Sequence, residues 1–182
     1  SIADVLSYLH RGKYVYRDLK PENVMIDGRG YAKLIDFGFC KYLLADKTYT
    51  LVGTPGYLSP ELVAVRGHNA GADHWALGIL IHEMVLGSSP FYYEGIDQSV
   101  LFDSILRDPL DLTANTVSAE AASLLEGLLA KDPKDRLGAR DESEILNHAW
   151  FEKLDLGKLR RKELTPPWVP HVEGRLDTRY FD

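Results

Sequence analysis

The segment from Asp73 to Leu86 constrains this chain more than any other. It reads Asp73-His74-Trp75-Ala76-Leu77-Gly78-Ile79-Leu80-Ile81-His82-Glu83-Met84-Val85-Leu86, with Gly87 directly after it. The pattern is dense and apolar, with an acidic residue in the first turn. A helix that is apolar all round has to be buried all round, and a glycine just past the last turn is a common stop. Gly78, His82 and Glu83 interrupt the run, which falls short of the roughly 20 residues a membrane span needs. The segment therefore predicts a buried helix of a globular body over 73–86.

The remaining pattern agrees with an α-rich body. Residues 2–10 place Ile2, Val5, Leu6 and Leu9 at helical spacing, with Gly12 as a stop. Residues 24–27 and 31–35 predict two short strands around Gly28-Arg29-Gly30. Residues 36–60 show no sustained period and carry Gly38, Gly53, Pro55, Gly56 and Pro60. They predict one long loop, a length usually reserved for function. Residues 97–106 and 118–130 predict amphipathic helices, the second capped by Ser118, and 141–149 one more short helix. From Leu154 on, Pro166-Pro167 and Pro170 predict an extended surface tail. The expected fold class is mainly α with a small β-hairpin, neither a sandwich nor a doubly wound sheet.

Charge and cysteine content narrow the function classes. Lys+Arg number 21 against Asp+Glu 27, a net charge of −6. That balance argues against general nucleic-acid binding, which needs a basic surplus. The lone Cys40 excludes an intrachain disulfide framework and a multi-cysteine zinc site. The start Ser1-Ile2-Ala3-Asp4 shows no signal peptide and no initiator Met. The expectation is a cytoplasmic protein without a transmembrane segment, represented here by a fragment. Cys40 reads as a small packing residue rather than a redox-sensitive thiol.

Chemistry concentrates in a few short stretches. Tyr16-Arg17-Asp18-Leu19-Lys20-Pro21-Glu22-Asn23 is followed, 13 residues after Asn23, by Asp36-Phe37-Gly38. Gly53-Thr54-Pro55 and Ser59-Pro60-Glu61 come next. Each triplet alone is weak. In this order, with a hairpin between the first two, they resemble the protein-kinase signature set of catalytic loop (16–23) and activation segment (36–61). Tyr16, where the family usually has His, Asp73-His74-Trp75-Ala76-Leu77-Gly78, Asp135-Arg136-Leu137-Gly138 and His148-Ala149-Trp150-Phe151 resemble the AGC group. The tail, Leu164-Thr165-Pro166-Pro167 through Asp177-Thr178-Arg179-Tyr180-Phe181-Asp182, looks closest to the cGMP-dependent branch.

The resemblance implies a protein-kinase large lobe over 1–151 and the start of an AGC-type tail over 152–182. The N-terminal lobe, with its glycine-rich loop and strand lysine, is absent from the sequence. It implies a Ser/Thr kinase using ATP and Mg²⁺ on a protein or peptide substrate. It also implies partnership with the absent N-terminal lobe and, on the cGMP-like branch, an upstream cyclic-nucleotide-binding region. Without its N-terminal lobe the fragment is expected to be nearly inactive. The competing reading is a truncated or pseudokinase-like lobe that serves as a protein-binding module.

Roles carry over residue by residue. Asp18 is the expected base, because phosphoryl transfer needs a group that orients the hydroxyl and accepts its proton. Asn23 and Asp36 offer hard oxygen ligands to Mg²⁺. Lys20 places positive charge near the transferred phosphate, and Thr54 bridges base and lysine. Thr50 matches an activation-loop phosphosite, with Arg17 and Lys41 to pair its phosphate. Glu22 and Glu83 match residues that meet basic side chains upstream of the target. Leu51, Pro55 and Leu58 would form an apolar pocket for the next residue, and Gly56 departs from the Glu usual in the family. Glu61 and Arg136 match a buried ion pair, and Phe181 a tail aromatic that covers the adenine. Asp73 is expected to cap its helix and to accept backbone hydrogen bonds from the catalytic loop.

Overall fold

In the computed structural model, which describes residues 1–112, 117–174 and 177–180, the apolar segment is helix α3, Gly71–Leu86. Every residue from Gly71 to His82 is buried. The helix ends at Gly87, whose φ of 78° is the left-handed conformation that glycine adopts without strain, and whose N–H bonds Glu83 O. It starts two residues earlier than the sequence suggests. Asp73 is therefore not its cap, and the Asn69 side chain accepts from Gly71 N instead (3.1 Å).

Other helices enclose α3. α1 (Ile2–Arg11) is capped by the Ser1 hydroxyl and lays Ile2, Ala3 and Leu6 into the core. α2 (Pro60–Val63) begins at the last residue of the stretch expected to be a loop, with Pro60 in its first turn. α4 (Gln98–Arg107) buries Leu101 and Ile105. α5 (Ala119–Leu128) buries Leu124, Leu125 and Leu128, and Ser118 caps it as read from the sequence. Gly78 permits close approach at that contact, since a Cβ there would lie 2.8 Å from Leu129 Cδ2 and 3.0 Å from Leu128 Cβ. Trp75 stacks on Phe91 at 5.7 Å, and Lys131 Nζ stands 3.9 Å from the Phe91 ring centre. α6 (Ser143–Leu146) and a 3₁₀ turn, Ala149–Phe151, close the end of this body.

Two small antiparallel sheets lie beside the helices. β2 (Val24–Ile26) and β3 (Ala32–Leu34) form the expected hairpin, with Val24 opposite Leu34 and Ile26 opposite Ala32. Asp27 Oδ1 accepts from Arg29 N (2.9 Å) and Tyr31 N (3.0 Å) to fix its turn. The second pair, β1 (Tyr14–Val15) with β4 (Lys41–Tyr42), was not foreseen from the sequence. Strands of two residues carry no readable period, and the pairing rests on long-range contact between the Tyr14 and Tyr42 rings, 5.3 Å apart.

The tail departs from its expected extended form at α7 (Leu156–Arg160), capped by Asp155. Arg160 then reaches Asp4 on α1 (2.7 Å), and Leu164 O accepts from Tyr31 on the hairpin (2.5 Å). Gly30, at φ 85°, lies directly under the tail, for a Cβ there would fall 2.5 Å from Trp168 O. No helix among the described residues is long and apolar enough to cross a membrane.

Candidate active site

The stretch from Tyr16 to Asn23 is positioned by one buried carboxylate. Asp73, in the first turn of α3, accepts from Tyr16 N through Oδ2 (2.8 Å) and from Arg17 N through Oδ1 (2.7 Å). His10 Nε2 also meets Asp73 Oδ2 (2.7 Å). Arg17 has φ 71°, a left-handed conformation that costs a non-glycine residue about 1–2 kcal/mol. The paired bonds to Asp73 hold it there. Tyr16 is fully buried, and its hydroxyl donates to Ile35 O (2.5 Å). Burial, with Asp18 and Asp36 nearby, pushes its phenol above the ordinary range.

Asp18 is the centre of a bonded group. Lys20 Nζ lies 3.1 Å from Asp18 Oδ2 and donates to Thr54 Oγ1 (3.0 Å). Thr54 Oγ1 donates to Asp18 Oδ1 (3.1 Å). Asn23 Nδ2 donates to both Asp18 O and Asp18 Oδ2, each at 2.8 Å. A carboxylate held at both oxygens is oriented before any substrate arrives.

The hairpin register brings in Asp36. Val24 faces Leu34, and Ile35 N donates to Asn23 O (3.0 Å), so the residue before β2 and the residues after β3 leave the hairpin at the same end. Asp36 follows Ile35 with φ 52°, and its Oδ1 accepts from Gly38 N (2.9 Å). Because the Asn23 amide nitrogen is committed to Asp18, its oxygen is the end that can meet a cation. An amide oxygen and a carboxylate from one hairpin end are hard oxygen donors, which suits Mg²⁺.

The activation stretch is less gathered than the sequence suggests. Thr50 is exposed. Lys41, expected to pair a phosphate there, donates to the buried Thr48 (2.7 Å). Thr48 is bridged to His68 through both backbone bonds (2.9 and 2.8 Å). Arg17 Nε donates to Phe39 O (2.7 Å), while its buried Nη1 has no hydrogen-bond partner among the described residues. Cys40 is half-buried, and burial pushes its thiol up, away from the thiolate a redox sensor uses.

Of the residues expected to contact substrate, Glu83 is half-buried and accepts from the Tyr57 hydroxyl. Burial, Glu83 and Glu22 together hold the Tyr57 phenol above its ordinary range. Leu51 is 54% exposed and Pro55 is also exposed, whereas Leu58, 5% exposed, packs inward on Leu62 and Ala72. Tyr92 covers Gly56, where a Cβ would come within 3.3 Å of it. Glu61 and Arg136 meet through two parallel bonds (2.8 and 2.9 Å), with Arg136 1% exposed. Burial alone would raise the Glu61 carboxyl, but Arg136 holds it below its ordinary value. Phe181 lies outside the described residues. Sequence reasoning did not find Tyr57 or Tyr92 as neighbours of these residues, because isolated tyrosines carry no local signal of a partner 26 or more positions away.

Comparison with known proteins adds to this geometry. Residues 1–151 match the family described as protein kinase domain. The chain is similar to serine/threonine-protein kinase gad8 of Schizosaccharomyces pombe, 44% identical over 179 residues, covering 97% of this chain and 31% of that protein. It is 45% identical over 184 residues to serine/threonine-protein kinase Sgk3 of Rattus norvegicus, covering 100% of this chain and 36% of that protein. It is 44% identical over 184 residues to serine/threonine-protein kinase Sgk1 of Oryctolagus cuniculus, covering 100% and 42%. The chain thus spans about a third to two-fifths of the length of these relatives.

Proposed function

The chain belongs to the protein kinase family, and from that premise we propose that it is the large-lobe portion of a Ser/Thr protein kinase of the AGC group. Its similarity to Sgk and gad8 kinases supports that group. The cGMP-dependent branch rests only on the tail residues, and the relatives named above do not support it. The proposal therefore stops at the group, and a cyclic-nucleotide regulator is no part of it.

One observation carries the reading. Asp18 is buried, bonded to Lys20, Thr54 and Asn23, and set on a loop whose backbone Asp73 holds. Asp18 orients the Ser/Thr hydroxyl and accepts its proton at a carboxylate oxygen as transfer completes. Lys20 places its ammonium where charge develops on the transferred group. Thr54 keeps the two at a fixed separation and ties them to the segment that carries the substrate. Asn23 and Asp36 would hold Mg²⁺, which neutralises charge on the ATP phosphates. Glu22 and Glu83, both within electrostatic reach of Tyr57, support a preference for basic residues upstream of the target. A Thr50 phosphate would pair with Arg17, whose Nη1 has no hydrogen-bond partner among the described residues, and would compete with Thr48 for Lys41.

The test is transfer of the γ-phosphate of ATP by the intact protein to a panel of Ser/Thr peptides with Arg-rich or neutral upstream residues. Transfer with a preference for the Arg-rich set is expected. Equal rates would remove the basic preference alone. No transfer to any peptide, with peptide binding retained, would replace the enzyme reading with that of a binding module.

A further inference from the structure

Behind Asp73, which holds the backbone of Tyr16 and Arg17, three potential metal ligands converge from three elements. His10 stands in the last turn of α1, His74 in the first turn of α3, and Glu142 just before α6. One donor atom from each lies within 4.8 Å of the other two. His10 Nδ1 meets Glu142 Oε1, and His74 Nε2 lies 3.4 Å from the same oxygen. The side chains of His10 and His74 are 3% and 4% exposed, while Glu142 keeps 22%.

We propose that His10, His74 and Glu142 bind a borderline transition-metal dication of the Zn²⁺ class. Two imidazoles and one carboxylate are the donor set such ions take in sites that keep a further position for water. The partly exposed Glu142 provides that open side. His10 is held between two carboxylates: its Nε2 faces Asp73 (2.7 Å) and its Nδ1 faces Glu142 Oε1. With Asp73 keeping the proton on Nε2, a bound ion would take the place of the proton on Nδ1. His74 has no hydrogen-bond partner at its buried Nδ1 among the described residues. Its Nε2 makes a 3.4 Å approach to Glu142 Oε1, too long for a good hydrogen bond. The charge also fits. Asp73 and Glu142 place two carboxylates beside the imidazole of His10, which favours a cation there. Mg²⁺, which prefers oxygen ligands, does not suit this set.

The ion would pin α1, α3 and the approach to α6 together. Through His10 and Asp73 it would stiffen the backbone of Tyr16 and Arg17. The site is independent of the kinase reading and stands or falls without it.

Co²⁺ is the probe, because bound in a low-coordinate nitrogen–oxygen site it absorbs in the visible. Titration of the intact protein with Co²⁺ should develop a visible band that Zn²⁺ displaces and millimolar Mg²⁺ does not. His74→Ala and Glu142→Gln should each weaken the binding behind that band by at least about tenfold, the least that disturbing even an outer-shell partner does. His171→Ala, at the exposed His171–Glu173 pair, should leave it intact. Because His74→Ala could lose its fold, Zn²⁺ should also raise the unfolding temperature of the wild type but not of Glu142→Gln. No band, a band that survives both ligand substitutions, or a band lost with His171→Ala would overturn the site.

Discussion

Residues 16–23 and residues 36–61 border the same candidate site, yet the first stretch, a loop, and the second, a longer segment, are held very differently. In the loop, Tyr16, Asp18, Leu19 and Asn23 are buried, and Asp73 takes two of its backbone N–H groups. In the segment, Asp36, Phe37, Phe39, Thr50 and Leu51 are exposed. Its anchors are the two-residue strand β4, the Thr48–His68 bridge, the Phe39 carbonyl that accepts from Arg17, and the Thr54 hydroxyl between Lys20 and Asp18. Burial resumes at Gly56 and continues through Leu58, Ser59 and Glu61. The core of the helical body builds one wall of the site outright. It leaves the other wall exposed, with few buried contacts to fix it. Local stability follows buried contact in this way, and elements that switch are drawn from the low-stability end.

If the loop is prebuilt, its chemistry should be lost without loss of structure. Asp18→Asn in the intact protein should lower phosphoryl transfer by about 10²–10⁴-fold, with ATP affinity unchanged in a nucleotide titration. Loss of ATP binding would contradict the role of base. Next in size is the clamp behind the segment. Arg136→Ala leaves Glu61 buried and unpaired, and should cost about 3–5 kcal/mol in denaturant unfolding. A loss below about 1 kcal/mol would mean that the pair is not structural. Asp73→Asn exchanges a carboxylate for a group with one acceptor, and should cost about 1–3 kcal/mol. It should lower kcat more than it raises KM.

The pH dependence refines the same contrast. The folded-state Glu61 carboxyl sits below its ordinary value of 4.5. Its stabilisation is therefore complete above about 4.5 and is lost as the pH falls through the lower folded value. Denaturant midpoints measured from about pH 6 to about pH 3 should fall in the wild type, and this part of the fall should vanish in Glu61→Gln. The smallest effects belong to the exposed wall. Thr50→Ala and Leu51→Ala should each stay within about 0.5 kcal/mol of the wild type in stability. A loss of about 2 kcal/mol at either position would break the comparison by showing that this segment, too, is built in.

What was legible in the sequence was what local pattern encodes. The all-round apolar run gave α3, Gly87 its stop and Ser118 the cap of α5. The glycine turn between two short apolar runs gave the hairpin. Motif order pointed to Asp18, Asn23 and Asp36 as candidates, and the register of that hairpin explains why the stretches that carry Asn23 and Asp36 share one end. What stayed hidden depends on partners distant in sequence. The β1–β4 pair joins residues 26 or more positions apart, and α2 and α7 are too short to show a period. Lys41 bonding Thr48, Leu58 turning inward and Tyr92 covering Gly56 are outcomes of packing. No spacing rule reports them.

The tail has a consequence for how the protein is made. Arg160 closes on Asp4 across 156 positions, and Leu164 on Tyr31 across 133. At roughly 5–20 residues per second on the ribosome, about 8–30 seconds separate the birth of Asp4 from that of Arg160. For that interval the Gly30 turn is bare, and a lone two-stranded hairpin is marginal by itself. These earlier-made elements wait on a later-made clasp, so a nascent chain that stalls before Arg160 would present its hairpin to chaperones and proteases in a form the finished protein never shows.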